Sequence, residues 1–475
     1  MRNNRSQFFA LLGFLVCVTL LLSNGFVARI FAQPDNVDVV TKIAPIGDVL
    51  DTIMRKYVEA PDADHVVEGA LIGMMSSLDE HSAYISPEIH KQLTEETEGE
   101  FEGIGIQIQQ DAHKNIVVFQ PIAGSPADKA GLIGGDIIYK IDGESTKGLG
   151  LEGAAERIRG PRGTVVELTI LRAYEDEEKG AEQFTVSVKR GKIPLESIVE
   201  ARVLESGAGY IRVGDFKKRT AQELGGKMKE LEQQGMKSLV LDLRWNPGGL
   251  LLSSIEVCEL FLPKNTLVTY TKGRADAEGN SAEELEYYTE RAPQFPASFP
   301  IVILINEHTA SSSEIVTGAL QYWKRAIVVG EKTYGKGSVQ TIIRLEQPRD
   351  SALKLTTALY YTPAEVTIHK TGIHPDVEVA MKQEEWIALL NQMRESYKNE
   401  GGRKDSLNHG SVTGGEVTDE TVEDVQLKRA VEILSEDLVF ENLIEKYHKD
   451  TKETQVAVKE QPAPEPVVEP GEVVQ

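Results

Sequence analysis

Cysteine is almost missing from this chain. Of 475 residues two are cysteines, Cys17 and Cys258. The first lies in an apolar amino-terminal run, so what remains supports neither an internal disulfide nor a thiolate metal centre. Positive charge is scarce too: 51 Lys and Arg stand against 74 Asp and Glu, a formal net charge of -23. That balance argues against a nucleic-acid binder, which would show a basic face. No His-Glu-x-x-His spacing occurs, so no metal is expected. The segment nearest to a phosphate loop, Gly330 to Gly337 (GEKTYGKG), carries Gly337 where Ser or Thr would hold magnesium, which argues against nucleotide hydrolysis. No cofactor is expected.

The ends of the chain are informative. Residues 1–33 read as a signal peptide or membrane anchor: Arg2 and Arg5 come first, then an apolar run from Phe8 to Leu22, then Ile30-Phe31-Ala32. The run is shorter than the ~20 residues of a spanning helix, and extension to Phe31 would lengthen it enough. Cleavage and anchoring both stay open. The chain is therefore expected to be exported, periplasmic or in the cell envelope, soluble or held to the membrane by residues 8–31. At the other end, residues 401–475 hold 17 acidic and 8 basic side chains. Residues 451–475, ending in QPAPEPVVEPGEVVQ, are expected to be disordered.

Between the ends the periodicity changes three times. Residues 37–98 read as helical, with Ile43, Ile46, Val49, Leu50, Ile53 and Met54 at helical spacing, a face suited to another element or a second subunit in a homodimer. Asp79 and His81, in LDEHSAY, read as a turn pair rather than as catalytic groups. Residues 99–190 read as short strands: Gly103-Ile104-Gly105-Ile106-Gln107-Ile108, then Ile116 to Phe119, SPADKAGL, GDII, and a strand from Val165. A partly open barrel fits. This order resembles a PDZ domain. The resemblance implies that Gly103, Ile104, Gly105 and Ile106 turn amides toward a peptide carboxylate, the peptide adding as a strand beside Ile104–Ile108.

Residues 193–382 alternate buried strands with amphipathic helices, the pattern of a parallel sheet. Chemistry belongs where the chain leaves such strands. Strand Ser238 to Leu243 ends in Arg244-Trp245-Asn246-Pro247-Gly248-Gly249-Leu250. Strand Ile301 to Ile305 leads to Ser311-Ser312-Ser313-Glu314 and a helix, and the next strand leads to Gly335-Lys336-Gly337. Each has a plain reading. Ser311-x-x-Glu314 is a capping box, Pro-Gly-Gly is a turn, and Lys336 is a surface lysine. Residues 383–450 read as a helical region, with helices at Gln383–Asn399 and Val422–Lys449 and a linker between them.

The three runs together, DLRWNPGGL, TASSSEI and YGKGSVQ, closely resemble the carboxy-terminal processing peptidases, or tail-specific proteases, from about Ile43 to Val379. LDEHSAY and TGIHPD belong to the same likeness. The resemblance implies a multidomain α/β protein with a serine-protease core of crotonase-like (ClpP/crotonase) type. It makes Ser311 the nucleophile, Lys336 the general base and Gln340 the residue that orients the lysine. It also implies an oxyanion hole from the Ser312 amide with that of Gly248 or Gly249. A lysine acts as a base only when neutral, so burial must lower its pKa; Ile327, Val328, Val329 and Val339 are expected to supply apolar surroundings. A Ser-His-Asp triad using His308, His369 or His374 has no acid at a telling position. The substrates implied are protein C-terminal tails.

Two departures stand out. Ser312 occupies a position where the family commonly has alanine, and Ala364-Glu365 follows Thr362-Pro363 where a Gly-Arg-like pair is usual. The rival from another class is a non-catalytic PDZ scaffold for envelope proteins' C-termini, with Ser311 only a helix cap. A small-ester hydrolase is a weaker rival.

Overall fold

The structure, a computed structural model, describes residues 39–448 except 112, 123, 174–180, 276–283 and 400–421. The expected leader, the 401–418 linker and the tail 451–475 lie outside the described residues.

A six-stranded sheet organises the chain. Its strands lie in the order Ile198–Val203, Ala208–Val213, Ser238–Asp242, Ile301–Ile305, Ile327–Gly330 and Val377–Glu378. The first pair is antiparallel and every later pair parallel. Parallel strands are covered on both faces, which is why Ile301–Ile305 is apolar without interruption. Ile301, Ile303 and Ile305 share one core with Leu224, Met228, Val257, Val316 and Leu320 from helices Thr220–Gln233, Leu251–Glu259 and Ser312–Tyr322. Cys258 is buried in the same core. Val302 and Leu304, one residue out of phase, share the opposite core with Ala430, Ile433, Leu443 and Ile444.

Those last four residues come from two helices, Val425–Leu434 and Phe440–Tyr447. Periodicity predicts one helix over 422–449; the chain instead breaks at 435–439, and Val439 adopts extended backbone ahead of the second helix. The break lets both short helices lay their apolar faces on the sheet. Full burial of a Leu or Ile contributes about 1.5–3 kcal/mol, so these helices belong to the core.

A second, antiparallel sheet stands beside the first. It contains Leu267–Gly273, Glu284–Tyr288, the hairpin Ser338–Arg344 with Ala352–Tyr361, and Ala83–Ile85. Nothing in the sequence singles out strands 267–273, 284–288 or 83–85. Val366–His369 adds to this sheet only one bridge, Thr367 to Tyr361. Glu365 and Lys370 on either side have φ of 63°, which turns the chain out of extended geometry.

Strands Ile106–Gln110, Ile116–Pro121, Ile137–Ile141, Val165–Ala173 and Ala181–Lys189 form a further sheet around Ile104, Val118, Ile138, Leu168 and Ile170. A two-stranded ribbon, Glu100–Gly103 with Gly191–Pro194, carries the chain in and out of this barrel. Ahead of it lie helices Val39–Lys56, Ala63–Ser76 and Pro87–Glu98, with Ile43, Ile46, Val49 and Met54 exposed.

Candidate active site

Ser311 sits where strand Ile301–Ile305 turns into helix Ser312–Tyr322. Its backbone is strained, with φ 57° and ψ -120°. A non-glycine residue in such a region costs about 1–3 kcal/mol and persists only where its surroundings hold it. Here they do. The Ala310 amide donates to the Asn246 carbonyl (3.0 Å), the Ser313 hydroxyl donates to the same carbonyl (3.1 Å) and the Ser312 hydroxyl to the Gly249 carbonyl (3.0 Å). The Asn246 side chain anchors the other loop in turn, donating to the Val213 carbonyl (2.8 Å) and accepting from the Gly248 amide (2.9 Å). The turn between sheet and helix is thus stitched to the Asn246-Pro247-Gly248-Gly249 loop.

Gly248 approaches the elbow closely. A Cβ there would stand 2.7 Å from the Ala310 carbonyl and from Ser311 Cβ, and 2.8 Å from the Ser312 amide nitrogen. With φ at 95° as well, only glycine fits. The Ser312 amide, in the first turn of its helix, has the polarity that attracts a developing oxyanion.

Glu314 joins the serine to the lysine. Its buried carboxylate accepts from the Ser311 amide (2.8 Å) and the Lys336 amide (2.9 Å) on one oxygen. The other oxygen accepts from the Gly335 amide (2.8 Å) and the Thr333 hydroxyl (2.5 Å). Burial raises its pKa, and these four donors oppose the shift by favouring the carboxylate. The capping box read from sequence is therefore half of a larger device. The Ser311–Glu314 bond closes the helix end, and the same side chain fixes the lysine loop.

Lys336 is half-buried. Burial and then the charge of Lys354 hold its pKa below the usual lysine range, against Glu314 and Glu80, which favour the ammonium. Gly337 lets the loop pass under His369: a Cβ there would lie 2.5 Å from the His369 amide nitrogen. The Tyr360 hydroxyl donates to the Lys336 carbonyl. Burial pushes the Tyr360 phenol well above its ordinary range. Nothing in the sequence points to Tyr360 or to the second role of Glu314.

Ser311 and Lys336 thus share Glu314. Among the described residues, however, no hydrogen bond joins Ser311 Oγ to Lys336 Nζ. Gln340 Nε2 donates to the Ser338 hydroxyl (2.9 Å) and to Thr356 Oγ1 (3.3 Å). No histidine bonds Ser311 among the described residues; the His308 ring stacks on Trp245 at 3.7 Å. Asp79 accepts from the His81 amide (2.8 Å), a turn pair as the sequence suggests.

In the barrel, Ile106–Gln110 is an edge strand, with helix Gly150–Ile158 packed beside it. Ile104 is buried, and its carbonyl accepts from the Ala127 amide (2.9 Å). Gly105 has φ of 78° and sits against Ser125, 2.5 Å from where a Cβ would stand. Gly103 ends the ribbon strand, opposite Gly191.

Comparison with known proteins agrees with these features. Residues 207–379 match peptidase family S41 and residues 117–172 match the PDZ domain family. A carboxy-terminal-processing protease of Bartonella bacilliformis is 37% identical over 403 residues, spanning 83% of this chain and 88% of its own length. The carboxy-terminal processing protease CtpA of Bacillus subtilis is 35% identical over 342 residues, 72% of this chain and 70% of its own. Among solved structures, a photosystem II D1 C-terminal processing protease is 28% identical, covering 69% of this chain and 85% of that one with a TM-score of 0.39.

Proposed function

Because the chain belongs to peptidase family S41, the carboxy-terminal processing proteases, and is a serine peptidase, we propose that it cuts by a Ser311/Lys336 dyad near the C-termini of exported proteins. Neutral Lys336 takes the proton from Ser311 Oγ as that oxygen attacks the scissile carbonyl. The oxyanion is stabilised by the Ser312 amide with that of Gly248 or Gly249. The lysine then passes its proton to the leaving amine, and water, deprotonated in the same way, hydrolyses the acyl-enzyme. Gln340 orients the lysine, and the core is of crotonase-like type. Residues 1–33 export the protein to the periplasm or envelope, and any membrane contact runs through residues 8–31.

One observation carries the dyad above all: a single buried carboxylate, Glu314, holds the backbones of both Ser311 and Lys336. A solvent-exposed helix cap would have no need of the second contact. The PDZ segment binds the substrate's free carboxylate and apolar end beside the open edge strand Ile106–Gln110, with Gly103 to Ile106 as the carboxylate loop. Tail capture then shifts the barrel about its two-stranded ribbon and brings Lys336 and Gln340 into register with Ser311.

The test compares wild type with Ser311→Ala and Lys336→Ala on an unfolded protein with an apolar C-terminus, free or amidated, read by mass spectrometry. Cleavage by wild type alone, with the free carboxylate preferred, is the expected result. Cleavage by either variant at the wild-type rate refutes the dyad. A deletion of residues 101–190 that kept full activity and substrate choice would refute the role given to the PDZ segment.

A further inference from the structure

Gln340 lies directly opposite Thr356 in the hairpin that follows Lys336. Thr356 is touched from the other side by an element distant in sequence. Strand Ala83–Ile85 pairs with Ala352–Lys354, and this brings the turn Asp79–Ser82 onto the same threonine. Asp79 Oδ1 accepts from the Thr356 hydroxyl (3.2 Å). Ser82 Oγ accepts from the Thr356 amide (3.2 Å) and donates to Asp79 Oδ2 (2.8 Å). Asp79 also accepts from the amides of His81 (2.8 Å) and Ser82 (2.9 Å). A chain of polar atoms thus runs from Asp79 through Thr356 to Gln340.

The chain has a direction. An ionised carboxylate only accepts, and a hydroxyl has one hydrogen. Asp79 takes that hydrogen, so Thr356 Oγ1 meets Gln340 as an acceptor. The end of the carboxamide facing Thr356 must then be Nε2, which donates to both Thr356 and Ser338. Oε1 is left as the end free to accept from an amine. A lysine carries donors when charged and still carries them when neutral, so Oε1 is the end it needs.

We propose that Thr356 is a positioning residue for the hydrolytic site: held by Asp79 and Ser82, it fixes which end of Gln340 is offered to Lys336. The amino-terminal segment thereby completes the peptidase site from outside the core. The inference rests on the reading of Lys336 as base and Gln340 as its partner. Around Lys336 the charged groups are Lys354 on the same strand as Thr356, Glu314 on the serine helix, and Glu80 in the turn itself.

The experiment uses the full chain carrying Thr356→Val, Thr356→Ser or Asp79→Ala, beside Ser311→Ala and Lys336→Ala. A tail-bearing peptide is the substrate, followed across pH together with the melting temperature. Valine keeps the shape and loses the hydroxyl, so Gln340 is free to turn. Thr356→Val should lower kcat by up to about 100-fold while leaving KM within about twofold, the pattern of a misaligned reacting group. The acidic limb of kcat/KM should move to lower pH, because an acceptor that favours the ammonium is lost. Asp79→Ala should move the limb the same way by less. Thr356→Ser, which retains the hydroxyl, should restore both rate and limb.

Wild-type kcat and an unmoved limb in Thr356→Val, with Ser311→Ala and Lys336→Ala inactive, would overturn the positioning role and leave the dyad intact. The positioning role falls equally if Thr356→Val loses kcat with its melting temperature while the limb stays in place, a lesion of folding alone. Cleavage by Ser311→Ala or Lys336→Ala would instead remove the dyad, and the proposal with it.

Discussion

Replacing Glu314 by glutamine alters one atom of the site and sets all four of its hydrogen bonds against one another. The carboxylate accepts two amides on one oxygen, from Ser311 and Lys336, and the Gly335 amide with the Thr333 hydroxyl on the other. A glutamine retains one acceptor. Its least costly orientation keeps oxygen toward Ser311 and Lys336, and the Thr333 hydroxyl turns to accept from the new Nε2. The Gly335 amide then faces a donor, and a stranded buried N–H costs about 1–3 kcal/mol. The two remaining bonds lose their charge assistance, and with it roughly half their strength. Against this, the neutral side chain removes the desolvation that raises the Glu314 pKa. The balance is a loss of about 1–3 kcal/mol, or several degrees in Tm at roughly 2–4 °C per kcal/mol.

The effect on catalysis should be larger than that figure implies. The Gly335–Lys336 backbone is referenced to Ser311 through this side chain, and a displacement of about 1 Å at a reacting group can cost about 100-fold. Glu314→Gln should therefore fold and lose about 100-fold in kcat/KM on a tail peptide, while binding that peptide as wild type does. Glu314→Ala, which strands all the donors, should lie well below it in Tm. A Glu314→Gln enzyme with a lowered Tm and unchanged kcat/KM would refute the coupling of the two loops.

Other perturbations follow from the same geometry. As the proposed base, Lys336 must be neutral to accept a proton, and burial with Lys354 depresses its pKa. Cleavage should rise with pH through that depressed value, and Lys354→Gln, by removing a like charge, should move the acidic limb of kcat/KM to higher pH. Gly248→Ala would drive a methyl group to 2.7 Å from the Ala310 carbonyl. It should cost at least about 100-fold in kcat, the scale of a lost oxyanion donor, and wild-type cleavage would rule out a role for this loop. Arg244 is buried and bonds Asp242 (2.6 Å) and Asp424 (2.8 Å), tying the strand that leads to the glycine loop to the C-terminal helices. Arg244→Met takes the guanidinium from both buried carboxylates, leaving Asp242 the Tyr210 hydroxyl and Asp424 the Leu427 amide, so a loss of up to about 3–5 kcal/mol is expected in a denaturant titration.

The parts of this molecule legible in its sequence are those whose reasons are local. Ile301–Ile305 announces a strand covered on both sides, because every position in it is apolar. The helix starting at Ser312 is announced by Ser311 and Glu314 at cap spacing, and it begins there. The hidden parts depend on meetings across the chain. Strand Ala83–Ile85 is too short to carry a pattern, and it exists because Ala352–Lys354 receives it. Thr356 looks like any strand threonine until Asp79, distant in sequence, is placed against it. Apolar periodicity draws one helix through 422–449. It cannot see that a flat sheet face needs two short helices, with a break near Ser435, to be covered.

Glu314 shows why the plain and the functional readings of Ser311-x-x-Glu314 are not alternatives. A helix N-terminus has unpaired amides that a carboxylate satisfies, so a glutamate three residues into the helix needs no function to explain it. Burial changes what that glutamate demands. An ionised carboxylate removed from water requires most of its acceptor sites filled, and the Ser311 amide fills only one. The remaining donors have to come from another loop, and the chain supplies Thr333, Gly335 and Lys336. The need to satisfy a buried cap is thus what draws the lysine loop to the serine. Packing and chemistry converge on one side chain, and a sequence reading that assigns it to either alone loses the connection between the two catalytic candidates.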